Sequence, residues 1–195
     1  MIEMAEPKKT LNDAGALSFY HRSVLLDEVL EMLLVAPGRT YLDGSLGGGG
    51  HSEALLEAGA IVVGVDQDED ALAHARKRLA RFGERFMGVH ASFGDVAEVL
   101  GAMGIHQLDG ALLDLGVSSY QIDTPERGFS FQNDGPLDMR MNPMDRGTAD
   151  ALVNEADEST LARILRDYSD ERFAGRIARA IVAARPIHDT VALAD

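Results

Sequence analysis

The feature that most constrains the fold is the stretch from Thr40 to Asp66, in which a short strand, a run of glycines, a helix and a second strand follow one another. This order is half of a nucleotide-binding α/β unit. The glycines from Gly47 to Gly50 have no Cβ, so a ligand can approach the backbone closely. A helix predicted from about His51 to Ala58 directs its free N–H groups at the same place. The stretch therefore predicts a nucleotide site.

The acids that flank the glycines indicate which nucleotide is bound. The dinucleotide pattern Gly-x-Gly-x-x-Gly fails, because its sixth position falls on Ser52 or Glu53, and no lysine is present for a phosphate-binding P-loop. Asp43, which precedes the glycines, would repel a pyrophosphate and attract the α-ammonium group of a methionine moiety. Asp66, after the second strand, can accept both hydroxyls of a ribose. This pattern is typical of S-adenosylmethionine (SAM) methyltransferases, and the alternative is an ordinary glycine-rich turn.

Apolar patterning predicts four strands and the helices between them. The strands are expected at Thr40–Leu42, Ile61–Val65, about 85–90 and Gly110–Leu115, the last apolar enough to be covered on both faces. Ser23 is expected to cap a first helix that ends at Pro37-Gly38, and Asp70 to cap a helix that runs to about Arg81. A further helix is expected to end near Met103.

The amino-acid composition changes after Leu115. Residues 116–147 are rich in Gly, Pro, Asn, Asp and Ser, but they also contain Phe129 and Phe131, so we expect an ordered loop over the ligand mouth. Helices are then predicted at about 148–155, 158–168 and 170–185, with another from Thr190. The predicted organisation is a disordered leader (1–18), a SAM-binding domain (19–115), and a loop with a helical substrate-recognition insertion (116–195).

Composition excludes several classes of site. The chain has no cysteine, which excludes disulfides, thiolate metal sites and cysteine nucleophiles. Its six histidines show no ligand spacing, so no metal is expected. No apolar run is long enough to span a membrane, and residues 1–9 have no signal core, so we expect a cytoplasmic protein without a membrane partner.

The charge pattern limits how the chain can contact RNA. Its net charge is −14, whereas general nucleic-acid-binding surfaces are basic, so any contact must come from local clusters. Charge alone favours a solvated helix face as much as an RNA contact. The two clusters are Arg76, Lys77, Arg78, Arg81 and Arg85, and Arg163, Arg166, Arg172, Arg176, Arg179 and Arg185.

Several short motifs occur in a specific order along the chain. They are His21-Arg22-Ser23-Val24-Leu25-Leu26, Gly48-Gly49-Gly50-His51, Leu112-Leu113-Asp114-Leu115-Gly116-Val117-Ser118-Ser119, Arg127-Gly128-Phe129-Ser130-Phe131, Asp134-Gly135-Pro136-Leu137-Asp138-Met139-Arg140-Met141, and Glu171-Arg172-Phe173-Ala174 followed by Arg176-Ile177-Ala178-Arg179-Ala180-Ile181. From about His21 to Asp195 the chain resembles the bacterial RsmH (MraW) family of SAM-dependent methyltransferases. The resemblance implies methylation of the exocyclic amino group (N4) of a cytidine in the decoding centre of 16S ribosomal RNA, within the small ribosomal subunit.

The resemblance also implies the cofactor contacts. It places them on Gly48, Gly49, Gly50, His51, Asp66, Phe93, Asp114 and Gln121, to which the charge argument adds Asp43. Phe93 follows the third strand, where an aromatic ring can stack on adenine, and Asp114 lies at the carboxyl edge of the sheet. A carboxylate beside the methyl group can orient an amino group and take its proton, so Asp114 is also the candidate catalytic residue. The alternatives are a helix-start role for His51 and a purely cofactor-side role for Asp114.

Substrate contacts are predicted after Gly116. Phe129 and Phe131 are candidates for stacking on a splayed-out cytosine, with loop core as the alternative. Arg140 is a further candidate. Arg172, Arg176 and Arg179 have the spacing of one helix face and are predicted to contact RNA phosphates.

The sheet of the resembled family has more strands than the four predicted here. We therefore expect an N-terminal fragment of an incomplete Rossmann-like α/β sheet with a helical insertion, in which the fourth strand is an open apolar edge. Such a chain is expected to be marginally stable, prone to self-association and poorly active. The alternatives are a SAM-binding fragment without turnover and a SAM-dependent transferase acting on another substrate.

Overall fold

A computed structural model describes residues 23–195. The predicted leader and the His21-Arg22 part of the first motif lie outside the described residues. The described residues divide into two compact units between Gly116 and Val117. In the part of the chain that the structure describes, no helix is long and apolar enough to cross a membrane.

The first unit is built on a parallel four-stranded sheet in the order β3-β2-β1-β4. The strands are β1 (Thr40–Asp43), β2 (Ile61–Asp66), β3 (Phe86–His90) and β4 (Gly110–Leu112). The pairing aligns Tyr41 with Val62 on one side and with Gly110 on the other. The predicted α/β, Rossmann-like sheet of four strands is confirmed.

Helices join the strands of this sheet. They are α1 (Leu26–Met32), α2 (Gly50–Glu57), α3 (Glu69–Leu79) and α4 (Val96–Ala102), with 3₁₀ segments at Ala80–Arg85 and Phe93–Asp95. Two predicted caps are wrong. Leu25, in a left-handed conformation, precedes α1 in place of Ser23. Asp68 caps α3 in place of Asp70, because the Asp68 carboxylate accepts the N–H of Asp70 at 3.1 Å.

The two faces of the sheet have separate apolar cores, because side chains alternate along each strand. On one face, Tyr41 and Val62 pack with buried residues of α2 and α3, namely Leu55, Leu56, Leu72, Ala75 and Leu79. On the other face, Leu42, Val63 and Val65 pack with Leu100 of α4. The central strands β1 and β2 are therefore covered on both sides, as parallel strands require.

Strand β4 departs from its prediction. It ends at Leu112 and not at Leu115, and the side chains beyond it are exposed, Leu113 by 51% and Leu115 by 65%. Burial on both faces was therefore the wrong expectation for this strand. Within residues 23–195, β4 pairs with β1 alone, so its other edge is open, as expected. The pairing of β4 with β1 covers only Gly110, Ala111 and Leu112.

The second unit is helical. Its helices are α5 (Ser119–Asp123), α6 (Ala149–Glu155), α7 (Glu158–Ser169), α8 (Ala174–Ala184) and α9 (Thr190–Ala194), with a 3₁₀ turn at Pro125–Arg127. Two small cores hold it, one around Leu137, Val153 and Ile187 and one around Leu161, Ala162 and Ala178. The segment 116–147 is thus a loop with one helix and one 3₁₀ turn within it.

The helix predicted from Asp170 to Arg185 begins later than expected. Asp170 adopts a left-handed conformation (φ 51°) at the end of α7, and α8 starts only at Ala174. A left-handed residue cannot continue a right-handed helix. The four residues from Asp170 to Phe173 therefore form the connection between α7 and α8.

Candidate functional site

The predicted acids of the first unit lie at one edge of its sheet. Asp43 ends β1 and Asp66 ends β2, and Asp114 follows β4 after one further residue. Since the strands are parallel, these carboxyl ends meet at the same edge. Phe93, 50% exposed, begins the turn that follows β3. The structure therefore brings the predicted cofactor residues of the first unit to the edge where open α/β sheets bind ligands.

The glycine turn lies between β1 and α2. Gly49 has a φ of 78° and precedes α2 as its N-cap without a side-chain capping bond. A Cβ at this position would lie 3.1 Å from Leu79 Cδ1 and 3.3 Å from Ala75 Cβ, so the turn packs directly on α3. Glycine is required both for the positive φ and for this close packing. Helix α2 thus begins without a side-chain cap, and the backbone N–H groups of its first turn are candidates for ligand binding.

Asp66 is connected to the glycine turn. Its Oδ2 accepts the N–H of Gly47 at 2.7 Å, and its Oδ1 accepts the N–H of Asp68 at 2.9 Å. Each carboxylate oxygen has a second lone pair, and the side chain is only half-buried. Asp66 can therefore hold the turn and accept ligand hydroxyls together. Its contact with a ribose stays a prediction.

Asp43 is almost completely buried, with 1% of its surface exposed. Its oxygens accept the Ser45 N–H at 3.2 Å and the Ser52 hydroxyl at 2.7 Å. Burial raises the pKa of the Asp43 carboxyl, and these hydrogen bonds oppose that rise. Asp43 thus connects β1 to the first turn of α2 from beneath the glycines, and its contact with a ligand ammonium stays a prediction.

Two serines that the sequence analysis did not single out complete this arrangement. Ser45 donates its N–H to Asp43, and its hydroxyl accepts the N–H of Asp114 at 2.6 Å. Ser52 lies fully buried beside Asp43. An aspartate that bonds the backbone two residues on is a common turn, so the Asp-x-Ser spacing of residues 43–45 was a usable signal for Ser45. Ser52 could be identified only once α2 was placed.

Asp114 and His51 occupy different environments. Asp114 is exposed, and its backbone N–H donates to the Ser45 hydroxyl. His51 is 8% exposed, and its Nε2 lies 3.0 Å from the carbonyl oxygen of Val24. This contact joins the start of α2 to the segment before α1, which favours a structural role for the imidazole. Both cofactor assignments stay predictions.

Four arginines of the first basic cluster have hydrogen-bond or ion-pair partners within the protein. Arg76 pairs with Glu69 at 3.3 Å, and Arg81 pairs with Glu57 at 2.6 Å. Arg78 pairs with Glu53 at 2.6 Å, and Arg85 donates to the carbonyl of Leu56 at 2.7 Å. Neither a solvated face nor an RNA contact describes these four arginines fully, because each has a partner within the protein.

In the second unit, Gln121 is a capping residue. Its Oε1 accepts the N–H of Ser118 at 2.9 Å, while its own N–H donates to the Ser118 hydroxyl at 3.2 Å. This reciprocal pair is a capping box at the start of α5. The side chain is 5% exposed. Its predicted cofactor contact therefore competes with a capping role.

The predicted substrate residues of the 116–147 segment differ in exposure. Phe131 is 66% exposed, whereas Phe129 is half-buried, so Phe131 is better placed to stack on a base. Arg140 donates from Nε and Nη2 to the Asp138 carboxylate at 2.9 and 2.6 Å, and it lowers the pKa of Asp138. Arg140 organises its own loop, and its RNA contact stays a prediction.

The three arginines near α8 do not share one helix face. Arg172 lies in the turn before α8, so the predicted helical spacing is wrong for it, while Arg176 and Arg179 lie one turn apart within the helix. The Arg176 guanidinium lies 4.6 Å above the Phe173 ring, and Arg179 Nε lies 3.4 Å from Glu158. All three arginines are exposed, and such surface contacts are weak enough to be exchanged for phosphates.

Residues that could bind a metal are not grouped in the structure. Among residues 23–195, no three His, Asp or Glu side chains are placed to hold a metal ion.

Comparison with known proteins identifies a family. A family model described as the MraW methylase family matches residues 18–195. Proteins named ribosomal RNA small subunit methyltransferase H are 51% identical in Carboxydothermus hydrogenoformans, over 92% of this chain and 59% of the relative, and 57% identical in an Anaeromyxobacter species (strain K), over 85% and 53%. The chain thus spans little more than half the length of these relatives.

Structural comparison adds little. A SAM-dependent O-methyltransferase from Thermotoga maritima matches 36% of this chain and 28% of its own at 21% identity, with a TM-score of 0.33. A likeness this low supports no argument about function.

Proposed function

Because the chain belongs to the MraW methylase family, we propose that it transfers a methyl group from SAM to the exocyclic amino group (N4) of a cytidine in the decoding centre of 16S ribosomal RNA. The observation that carries this proposal is the placement of Asp43, the glycine turn, Asp66 and Asp114 at one edge of the sheet. An RNA substrate in the small ribosomal subunit is accessible in the cytoplasm, where we place the reaction.

The residues at the sheet edge fit SAM. The N–H groups at the start of α2 and the tightly packed Gly49 provide a surface that a ligand can approach closely. Asp66 is half-buried beside Gly47 and has lone pairs for ribose hydroxyls. Phe93 exposes an aromatic ring for the adenine. The bound sulfonium supplies an electrophilic methyl group.

Asp114 is the residue to which we assign the chemistry. The cytidine N4 forms a bond to the methyl carbon as the carbon–sulfur bond breaks, leaving a neutral thioether, and the methylated amino group loses one proton. An exposed carboxylate on a backbone held by Ser45 can orient the amino group and accept that proton. Asp114→Asn is expected to lower kcat by about 10²–10⁴-fold with little change in SAM affinity.

We assign RNA binding to the second unit. Phe131 is exposed and can stack on an unpaired base, and the half-buried Phe129 is the second candidate for such a contact. Arg172, Arg176 and Arg179 supply exposed positive charge for phosphates. Arg140 contributes by fixing its loop through Asp138.

The decisive test is transfer of labelled methyl groups from SAM to small ribosomal subunits that lack the modification, followed by mapping of the label. Label on N4 of one cytidine, lost in Asp114→Asn, is the expected result. Label on another nucleotide, on protein or on no substrate would contradict the proposal. Fully modified subunits are the matched negative control.

A second candidate function is SAM binding without turnover. The open edge of β4 favours this alternative, because the side chains of Leu113 and Leu115, on either side of the proposed catalytic Asp114, are exposed. SAM binding measured by calorimetry, together with absence of transfer in the same preparation, would establish it. A monodisperse and active 195-residue chain in sedimentation and turnover assays would exclude it.

A further inference from the structure

One arginine of α3 contacts the backbone of the glycine turn. Arg78 Nη1 donates to the carbonyl oxygen of Gly48 at 3.1 Å. Its Nε and Nη2 donate to Glu53 Oε2 of α2 at 3.0 and 2.6 Å. The side chains of Arg78 and Glu53 are only 25% and 23% exposed, so this contact is better shielded from water than the neighbouring surface ion pairs.

These bonds determine the orientation of one peptide group. The Gly48 carbonyl is held by Arg78, and the adjoining Gly49 N–H donates to the carbonyl oxygen of Leu46 at 2.8 Å. A peptide group is planar, so a bond at each end fixes its plane. Glycines on both sides leave this group more freedom to rotate than any other residue type would.

The same network includes the start of α2. The backbone N–H of Glu53 donates to the carbonyl oxygen of Gly49 at 2.8 Å, while the Glu53 carboxylate receives Arg78. Arg78 lies one turn after Ala75 on α3, and Gly49 packs on Ala75 and on the neighbouring Leu79. Helix α3 therefore contributes both to the position of the turn, through Ala75 and Leu79, and to its orientation, through Arg78.

We propose that Arg78 is a positioning residue for SAM binding, acting through the Gly48–Gly49 peptide group. The proposal rests on the function assigned above to the glycine turn. Arg78 does not contact the ligand in this scheme. Its guanidinium holds the turn in the binding conformation before the ligand arrives, which lowers the ordering cost of binding. A lysine has no planar fork and cannot make both contacts in the same geometry.

Arg81 provides a matched control. It lies one turn further along, and its Nη2 pairs with Glu53 at 3.1 Å and with Glu57 at 2.6 Å. Its side chain is 58% exposed and donates to these two acids, whereas Arg78 also donates to the turn. Arg78→Met and Arg81→Met remove the same charge from the same network, and only the first removes the bond to Gly48.

The test measures SAM affinity and the hydrogen exchange of single amides in the 195-residue protein. Arg78→Met is expected to weaken SAM binding by about tenfold or more and to speed exchange of the Gly49 amide. Arg78→Lys is expected to fall between Arg78→Met and wild type. Arg81→Met should bind SAM as wild type does. The Ala60 amide is the internal reference. It lies after the C-terminal end of α2 and donates to the carbonyl oxygen of Leu55, and its exchange rate should not change.

Three outcomes would overturn the role of Arg78: unchanged Gly49 exchange in Arg78→Met, equal losses of affinity in Arg78→Met and Arg81→Met, or faster exchange at Gly49 and Ala60 alike. Equal losses of affinity would indicate an effect of the lost charge, and faster exchange at both amides would indicate a general effect on folding. A wild-type protein that does not bind SAM would contradict the proposed function instead, and Gly49 exchange in the ligand-free protein would still decide whether Arg78 orders the turn.

Discussion

The two units of this protein differ in how firmly neighbouring groups hold their candidate binding residues. In the first unit, Asp43, Asp66 and Gly49 are held by hydrogen bonds or by close packing at the edge of a sheet. In the second unit, Phe131 and Arg172 project from connecting segments into solvent. The first unit resembles a preformed small-molecule site, and the second resembles an electrostatic surface.

This difference has an energetic meaning. A preformed site has a low ordering cost, so single substitutions that loosen it are expected to change affinity strongly. An exposed basic surface acts through many weak contacts and through release of counterions, so its contribution depends on salt. The two regions should therefore respond to different perturbations.

The largest effect is expected at the glycine turn. Gly48→Val should abolish SAM binding while the protein remains folded, because a branched side chain would occupy the space through which the ligand approaches the backbone. Calorimetry and a thermal melt of the same sample measure both properties. Normal SAM affinity in Gly48→Val would show that the turn does not approach the ligand.

The next effect is expected at Asp66. Asp66→Ala should weaken SAM binding by about 1.5–3 kcal/mol, as expected for the loss of charge-assisted hydrogen bonds to ribose hydroxyls. Asp66→Asn is the matched control, because it keeps the shape and part of the hydrogen bonding to Gly47 and Asp68. If affinity in Asp66→Ala equals that of wild type, Asp66 does not hold the ribose.

A smaller effect is expected from the basic surface of the second unit. Replacing Arg172, Arg176 and Arg179 by Gln should lower the slope of log affinity against log salt for RNA by roughly two to three units if each contacts a phosphate. The charge-matched control replaces Arg39, Arg76 and Arg81 of the first unit, which are paired with Asp109, Glu69 and Glu57. Equal slopes in the two triple variants would argue against a specific RNA surface.

The smallest effect concerns pH. Burial raises the pKa of Asp43 in the folded protein above its usual value of 3.8, so folding favours the protonated form. The stability that this proton contributes is complete below pH 3.8 and is lost as the pH rises through the raised pKa. Wild type should therefore lose more free energy of unfolding than Asp43→Asn as the pH rises above about 4.

Urea unfolding of both proteins across this pH range measures the difference. Asp43→Glu is the control that keeps an ionisable group at this position. Parallel pH profiles for wild type and Asp43→Asn would show that the carboxyl is not perturbed. The result would also test whether the acid beneath the turn is part of the rigid framework of the first unit.

Local patterns determined much of the architecture. Short apolar runs and acids at strand ends predicted the four strands, and helical spacing predicted most helices. The prediction failed where neighbours decide the outcome. Leu113 and Leu115 have the composition of a buried strand, but β4 pairs with one neighbour and ends at Leu112. Likewise, Arg172 has helical spacing to Arg176, yet the left-handed Asp170 delays the start of α8.

The sequence by itself determined that a glycine turn lies between two acids that end successive strands, because the order of these residues along the chain is fixed. Only the tertiary structure decided what each charge does. Asp43 is buried against Ser52 and beneath the turn, and Arg78 of a predicted basic cluster contacts Gly48. Residues 30 positions apart in sequence meet through the packing of α3 on the turn. A side chain's partner, and hence its charge state and role, depends on such long-range packing, which no local pattern encodes.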